Sequence, residues 1–204
     1  MKKSKSQKSV GSFTTYFSGQ QSILPRFCAR ETALMRRNPT EILAPVGNHE
    51  MLKAAIENGA DAVYFGVQAF NARMRANNFL ESELPDIIRQ LHERGMKGYL
   101  TLNVLVFEDE INEAANLLLS ASRAGVDAII IQDLGLASFA RKLVPDLPLH
   151  ASTQMTITSS ESISALQMLG IDFERVVVAR ELNTEEIERI TQESEVELEV
   201  FIHG

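Results

Sequence analysis

Short apolar runs alternate with stretches of helical spacing through most of this chain, starting at Glu41. Apolar runs rich in β-branched residues predict strands over Glu41–Val46, Ala62–Val67, Gly98–Leu105, Ala128–Asp133, Leu147–Thr153, Arg175–Arg180 and Glu197–Gly204. Between them, a 3.6-residue period predicts helices over Asn48–Asn58, Glu81–Arg94, Asp109–Ala124, Leu134–Val144, Ser159–Leu169 and Thr184–Thr191. Gly59, Gly95, Gly125 and Gly170 stand where those helices must stop, and Pro145 closes another.

Strands that are apolar throughout, each followed by a helix, indicate a parallel sheet covered by helices. Seven βα units without a GxGxxG or GxxxxGK[ST] loop after the first strand favour a TIM-barrel-like (β/α) fold over an open dinucleotide-binding sheet. A complete barrel takes about 250 residues. The α/β domain expected over residues 39–204 therefore shows seven strands, with the eighth missing.

Charge divides the chain in two. Residues 1–38 carry eight Lys/Arg and one Glu, whereas the remainder carries twelve Lys/Arg and 26 Asp/Glu. The basic, Ser-rich first segment has no sustained periodicity and is expected outside the fold as a disordered leader. It reads either as an organelle-targeting segment or as residues upstream of a true start at Met35. A cytoplasmic location is the default and an organelle the alternative. The acidic body argues against non-specific nucleic-acid binding. No apolar run approaches the length of a membrane span. The one cysteine, Cys28, excludes an internal disulfide and any site built from several thiolates.

Candidate chemistry gathers at the strand exits, where barrels place their active sites. In Leu147–Thr158 the apolar approach runs into His150, Ser152, Thr153 and Gln154. Asn103, Asp133, Arg180, Glu181 and His203 stand at other exits. Together they would form a polar mouth that holds an anion through Arg180, with Asp133, Glu181 or His203 as acid–base residues. Each also has a plainer reading: Asn103 and Thr153 satisfying loop backbone, Asp133 capping a helix, Arg180–Glu181 as a local ion pair, His203 in the core. The loop Ala69–Phe79 adds Asn71, Arg73 and Arg75, a combination suited to phosphate or carboxylate.

At these residues the chain resembles the collagenase-like peptidases classed as U-thirty-two. The matching blocks are EILAPVGN (Glu41–Asn48), NGADAVYFG (Asn58–Gly66), FNARMRANNF (Phe70–Phe79), TLN (Thr101–Asn103), VDAIIIQDLG (Val126–Gly135), LHASTQ (Leu149–Gln154), VVVAREL (Val176–Leu182) and ELEVFIHG (Glu197–Gly204). Glu199, Phe201 and Gly204 occupy the front of the family's E-x-F-x-x-G signature. The resemblance implies oxygen-independent hydroxylation of bases in transfer or ribosomal RNA, with prephenate as a small anionic co-substrate. It also implies an iron–sulfur cluster in full-length relatives. A cluster needs about four thiolates, so none is expected on this chain, and no other metal site is expected either.

Two further readings compete with hydroxylation. A collagenase-like peptidase would need a nucleophile. Ser152, His150 and Asp133 supply the residue types of a triad, but no GxSxG elbow or HExxH motif frames them, so hydrolysis ranks lower. The other is a non-catalytic fragment or split subunit whose unpaired strands one and seven invite a protein partner that completes the barrel. On that reading the isolated chain is inactive.

Overall fold

The computed structural model describes residues 40–72 and 78–203. The expected roles of Arg73 and Arg75 fall outside these residues. Seven strands form one sheet in sequence order, β1 (Leu43–Val46), β2 (Ala62–Phe65), β3 (Lys97–Leu102), β4 (Ala128–Ile131), β5 (Leu149–Ala151), β6 (Arg175–Val177) and β7 (Glu197–Glu199). Every adjacent pair is parallel. The helices between them are α1 (His49–Glu57), α2 (Leu84–His92), α3 (Ile111–Ala124), α4 (Leu134–Leu143), α5 (Ser160–Met168) and α6 (Thr184–Glu193). The arrangement is TIM-barrel-like, with the sheet curled around an interior. None of the described helices is long and apolar enough to cross a membrane.

The alternation of each strand sorts its side chains between two faces. Val63, Phe65, Leu100, Leu102, Ile129, Ile131, Leu149, Ala151 and Val176 join a large apolar cluster with Ile87, Ile88, Leu91, Leu117 and Leu118 of the helices. The opposite face carries Ala62, Tyr99, Ala128 and Ile130, packed with Leu43 and Tyr64. Partners in a parallel ladder point the same way, so the pairs Ile130–His150, His150–Arg175, Arg175–Glu197 and Val177–Glu199 extend this inner face to β7. The inner face is therefore apolar on one side and charged on the other.

Local chemistry fixes the turns. Asn48 and Asp133 accept backbone N–H groups at the starts of α1 and α4, and Asn183 with Glu186 forms a capping box at α6. Gly125 ends α3 at φ 79°, a left-handed conformation that costs glycine nothing. Several strands are shorter than their apolar runs. The third ends at Leu102 rather than Leu105, and the fifth spans Leu149–Ala151 rather than Leu147–Thr153. The seventh stops at Glu199, because a ladder extends only as far as its neighbour β6, which ends at Val177.

Candidate functional site

The expected rim residues do lie beyond the C-terminal ends of the strands, but most are engaged in holding loops. Asn103 Oδ1 accepts the backbone N–H of Ala72 at 3.0 Å, tying the β2–α2 loop down. Asn71 is buried in that loop and donates to the carbonyl of Val67. A Cβ on Gly66 would lie 2.6 Å from the Asn71 side chain, so this position requires glycine. Asp133 Oδ1 accepts from Leu136 N–H at 2.7 Å as the cap of α4. Ser152 is buried, and its Oγ accepts from Gln154 N–H at 3.2 Å at the head of a short 3₁₀ turn, Thr153–Met155. Thr153 is partly buried and Gln154 exposed on that turn. Arg180, Glu181 and His203 are exposed, and the Arg180 guanidinium sits 5.9 Å from the centre of the Phe201 ring.

A triad is recognised by geometry, and these residues do not assemble one. Among the described residues no hydrogen bond links His150 to Ser152 or to Asp133. Instead the imidazole stands edge-on to Tyr99, with ring centres 4.8 Å apart.

His150 belongs to an interior network of charged groups that period-based reading passes over. Glu41 lies just before β1 and accepts from Tyr99 Oη at 2.8 and 3.0 Å and from Arg175 Nη1 at 2.6 Å. Lys97 Nζ lies 3.4 Å from the same carboxylate. Arg175 turns its Nε and Nη2 to Glu197 Oε2 at 3.2 and 2.9 Å. Its Nη1 also lies 3.7 Å from Glu199 Oε2. The guanidinium is 5.4 Å from the centre of the Tyr99 ring. Four strand residues (Tyr99, His150, Glu197 and Glu199) and Glu41, just before β1, thus surround one arginine.

Burial disfavours charge on Glu41, but hydrogen bonds from Arg175 and Tyr99 outweigh it and hold the carboxyl below its ordinary range. Arg175 is likewise desolvated, and its bonds to Glu41 and Glu197 keep it more firmly protonated than usual. Burial and the Glu41 hydrogen bond push the Tyr99 phenol upward. The Glu199 carboxyl is raised by burial to about 7, against a partial offset from Arg175. Burial and the nearby Arg175 charge drive His150 down to about 3, so it is neutral at physiological pH and a feeble base. Perturbed groups of this kind mark functional sites more often than random ones.

Sequence reading missed Glu41, Tyr99, Lys97, Arg175, Glu197 and Glu199. The available signal was the polar–apolar alternation E-L-E-V in β7.

The comparisons agree with this architecture. The chain is 38% identical over 164 residues to the 23S rRNA 5-hydroxycytidine C2501 synthase of Escherichia coli, which covers 80% of this chain and 24% of that protein. It is 36% identical over 182 residues to a collagenase from Porphyromonas gingivalis, covering 83% of this chain and 43% of that protein. It is 34% identical over 164 residues to the tRNA hydroxylation protein P1 of Bacillus subtilis, covering 80% and 38%. The chain thus spans less than half the length of each of these relatives. A solved U32 peptidase superposes with a TM-score of 0.63 at 18% identity, over 80% of this chain and 69% of that one, which supports the fold. Residues 47–204 also match Peptidase family U32 as a whole, from the cap of α1 through the strand that carries Glu199, and the chain belongs to that family.

Proposed function

We propose that this chain is the barrel portion of a protein that hydroxylates a base in ribosomal or transfer RNA. The observation that carries the proposal is the dispersal of Ser152, His150 and Asp133 into separate structural duties. That leaves these three residues without an activated nucleophile for a peptidase. Relatives named for RNA hydroxylation, at 38% and 34% identity across the barrel, support the remaining reading. On this reading RNA is the substrate. A small anionic co-substrate of the prephenate type would meet Arg180 on the C-terminal face.

An iron–sulfur cluster does not fit the residues at hand. The chain has one cysteine, Cys28, and the described residues contain no group of three or more His, Cys, Asp or Glu able to hold a metal. A protein partner on the barrel is a second component of the proposal, because β1 and β7 each pair with a single neighbour among the described residues.

The test is a chimera in which residues 41–204 replace the matching barrel segment of the Escherichia coli 23S rRNA synthase. Mass spectrometry of rRNA nucleosides from a strain lacking that synthase should show hydroxycytidine restored. A folded chimera that yields none, together with gelatin cleavage by the chain itself, would move the assignment to the peptidase.

A further inference from the structure

We propose that residues 1–38 are an RNA-holding arm, whose lysines and arginines contact the phosphates of a strand that the barrel itself repels. The inference deepens the RNA reading above and rests on it.

RNA is a polyanion, and a large share of its affinity for proteins comes from cations set against its phosphates. The barrel is poorly supplied with them. Residues 39–204 carry twelve Lys/Arg against 26 Asp/Glu. Most of the described cations are also engaged within the fold. Lys53 lies 3.7 Å from Glu57, and Arg89 lies 2.7 Å from Asp86 and 3.6 Å from Glu93. Lys97 and Arg175 belong to the interior network. Arg94 donates to the Gln90 carbonyl at 2.9 Å, and Arg141 donates to the carbonyls of Leu147 and Asp172. An exposed ion pair is weak, but its carboxylate stays beside the cation. Such a pair offers a phosphate no net attraction.

The face a substrate would approach is acidic as well. Glu108, Asp109 and Glu181 stand exposed in the loops after the strands, and Glu185, Glu188 and Glu193 stand exposed on α6. These carboxylates repel a strand laid across the barrel.

Residues 1–38 have the opposite balance. Lys2, Lys3, Lys5 and Lys8 open the chain, four arginines follow between Arg26 and Arg37, and no acidic residue precedes Glu31. Basic arms at chain ends are a recurrent means of holding nucleic acid. Phe13, Tyr16 and Phe17 lie between the two basic groups, and aromatic rings interleaved with cations stack unpaired bases. A membrane surface, the rival anion, is met by an amphipathic helix with an apolar stripe. This segment carries no sustained helical period. Single-stranded RNA, with its phosphates and open base faces, matches both features. The arm then supplies sequence-independent affinity, and the barrel is left to select the base.

The experiment uses the full 204-residue chain. One variant combines Lys2→Gln, Lys3→Gln, Lys5→Gln and Lys8→Gln, and a second combines Arg123→Gln, Lys142→Gln and Arg189→Gln, three cations exposed on the barrel. Fluorescence anisotropy follows binding of a single-stranded oligoribonucleotide over a series of salt concentrations. In the lysine variant the slope of log K against log salt should shrink by about 0.7 for each lost phosphate contact, about 3 in all. The barrel variant should keep the native slope to within about 1. A third variant, Phe13→Leu with Tyr16→Leu and Phe17→Leu, should bind about tenfold more weakly at an unchanged slope, as loss of stacking requires. Phosphatidylserine vesicles should not displace the RNA at an equal concentration of negative charge. An unchanged slope in the lysine variant, an equal loss in the barrel variant, full affinity in the leucine variant, or displacement by vesicles would overturn the proposal. The chimera carries only residues 41–204, so its success beside any such result would leave the RNA reading standing. Its failure, with RNA binding through the lysines intact, would instead count against that reading.

Discussion

The rim of the barrel and its interior spend their polar residues in opposite ways. At the C-terminal rim, Asn103, Asp133 and Ser152 each satisfy a nearby backbone N–H. In the interior, Glu41, Tyr99, Arg175 and Glu197 satisfy one another across strands far apart in sequence, leaving Glu199 and His150 incompletely matched. Local pairs close loops, and long-range buried pairs shift the acidities of their members. Polar density along a sequence therefore marks turns more readily than perturbed acidity, and in this molecule the strongly perturbed groups lie inside.

The contrast breaks most visibly at Arg175, whose side chain is 9% exposed. Arg175→Met leaves three carboxyls facing one another, and breaking a buried pair this way costs about 3–5 kcal/mol. Urea denaturation should show that loss. Adding Glu41→Gln should recover part of it, because one uncompensated charge is then gone.

The pH profile sharpens the comparison next. Glu199 rises from 4.5 to about 7 on folding, so the folded state keeps its proton longer than the unfolded chain. Its contribution to stability is full below pH 4.5 and is lost as pH rises to about 7. His150 falls from 6.5 to about 3, so its contribution is full above 6.5 and is lost as pH falls toward 3. Each has a slope of about 1.4 kcal/mol per pH unit, and the slopes oppose one another between about pH 4.5 and 6.5. Removing either group should unmask the other. Stability of Glu199→Gln should rise with pH through that window, and stability of His150→Phe should fall. Parallel profiles for the two variants would refute the assignment.

The rim predicts smaller effects. Asp133→Ala should cost about 1 kcal/mol, the loss of a helix cap. Asp133→Asn should keep both the cap and, in the chimera, hydroxylation, which a general acid–base role would forbid. Arg180→Ala should alter the unfolding free energy by no more than about 0.5 kcal/mol, as exposed positions do. It should nonetheless weaken binding of a dicarboxylate at the C-terminal face.

The alternation of strands and helices was legible because burial imposes a period that the sequence must carry. Runs such as Ala128–Ile131 and the glycine after α3 left little freedom. Rim residues were found by position, and several of the plainer readings match what the structure shows: Asn103 holds loop backbone and Asp133 caps α4. His203, by contrast, is exposed rather than in the core. The interior network was hidden for a physical reason. A rule that places apolar residues inward inverts in β7, where Leu198 packs toward the helices while Glu197 and Glu199 face inward. Arg175 opens its strand and Glu41 precedes its own, at the ends opposite the strand exits. Only the curl of the sheet brings residues 134 positions apart within 2.6 Å.

The central claim is that the interior, rather than the rim, holds the perturbed chemistry of this barrel. A direct ¹³C NMR titration of the Glu199 carboxyl, with the His150 ring followed in parallel, tests it. The structure predicts a Glu199 midpoint near 7 and an imidazole that stays neutral until about pH 3. A Glu199 midpoint at the ordinary 4.5, or protonation of His150 near 6.5, would contradict it.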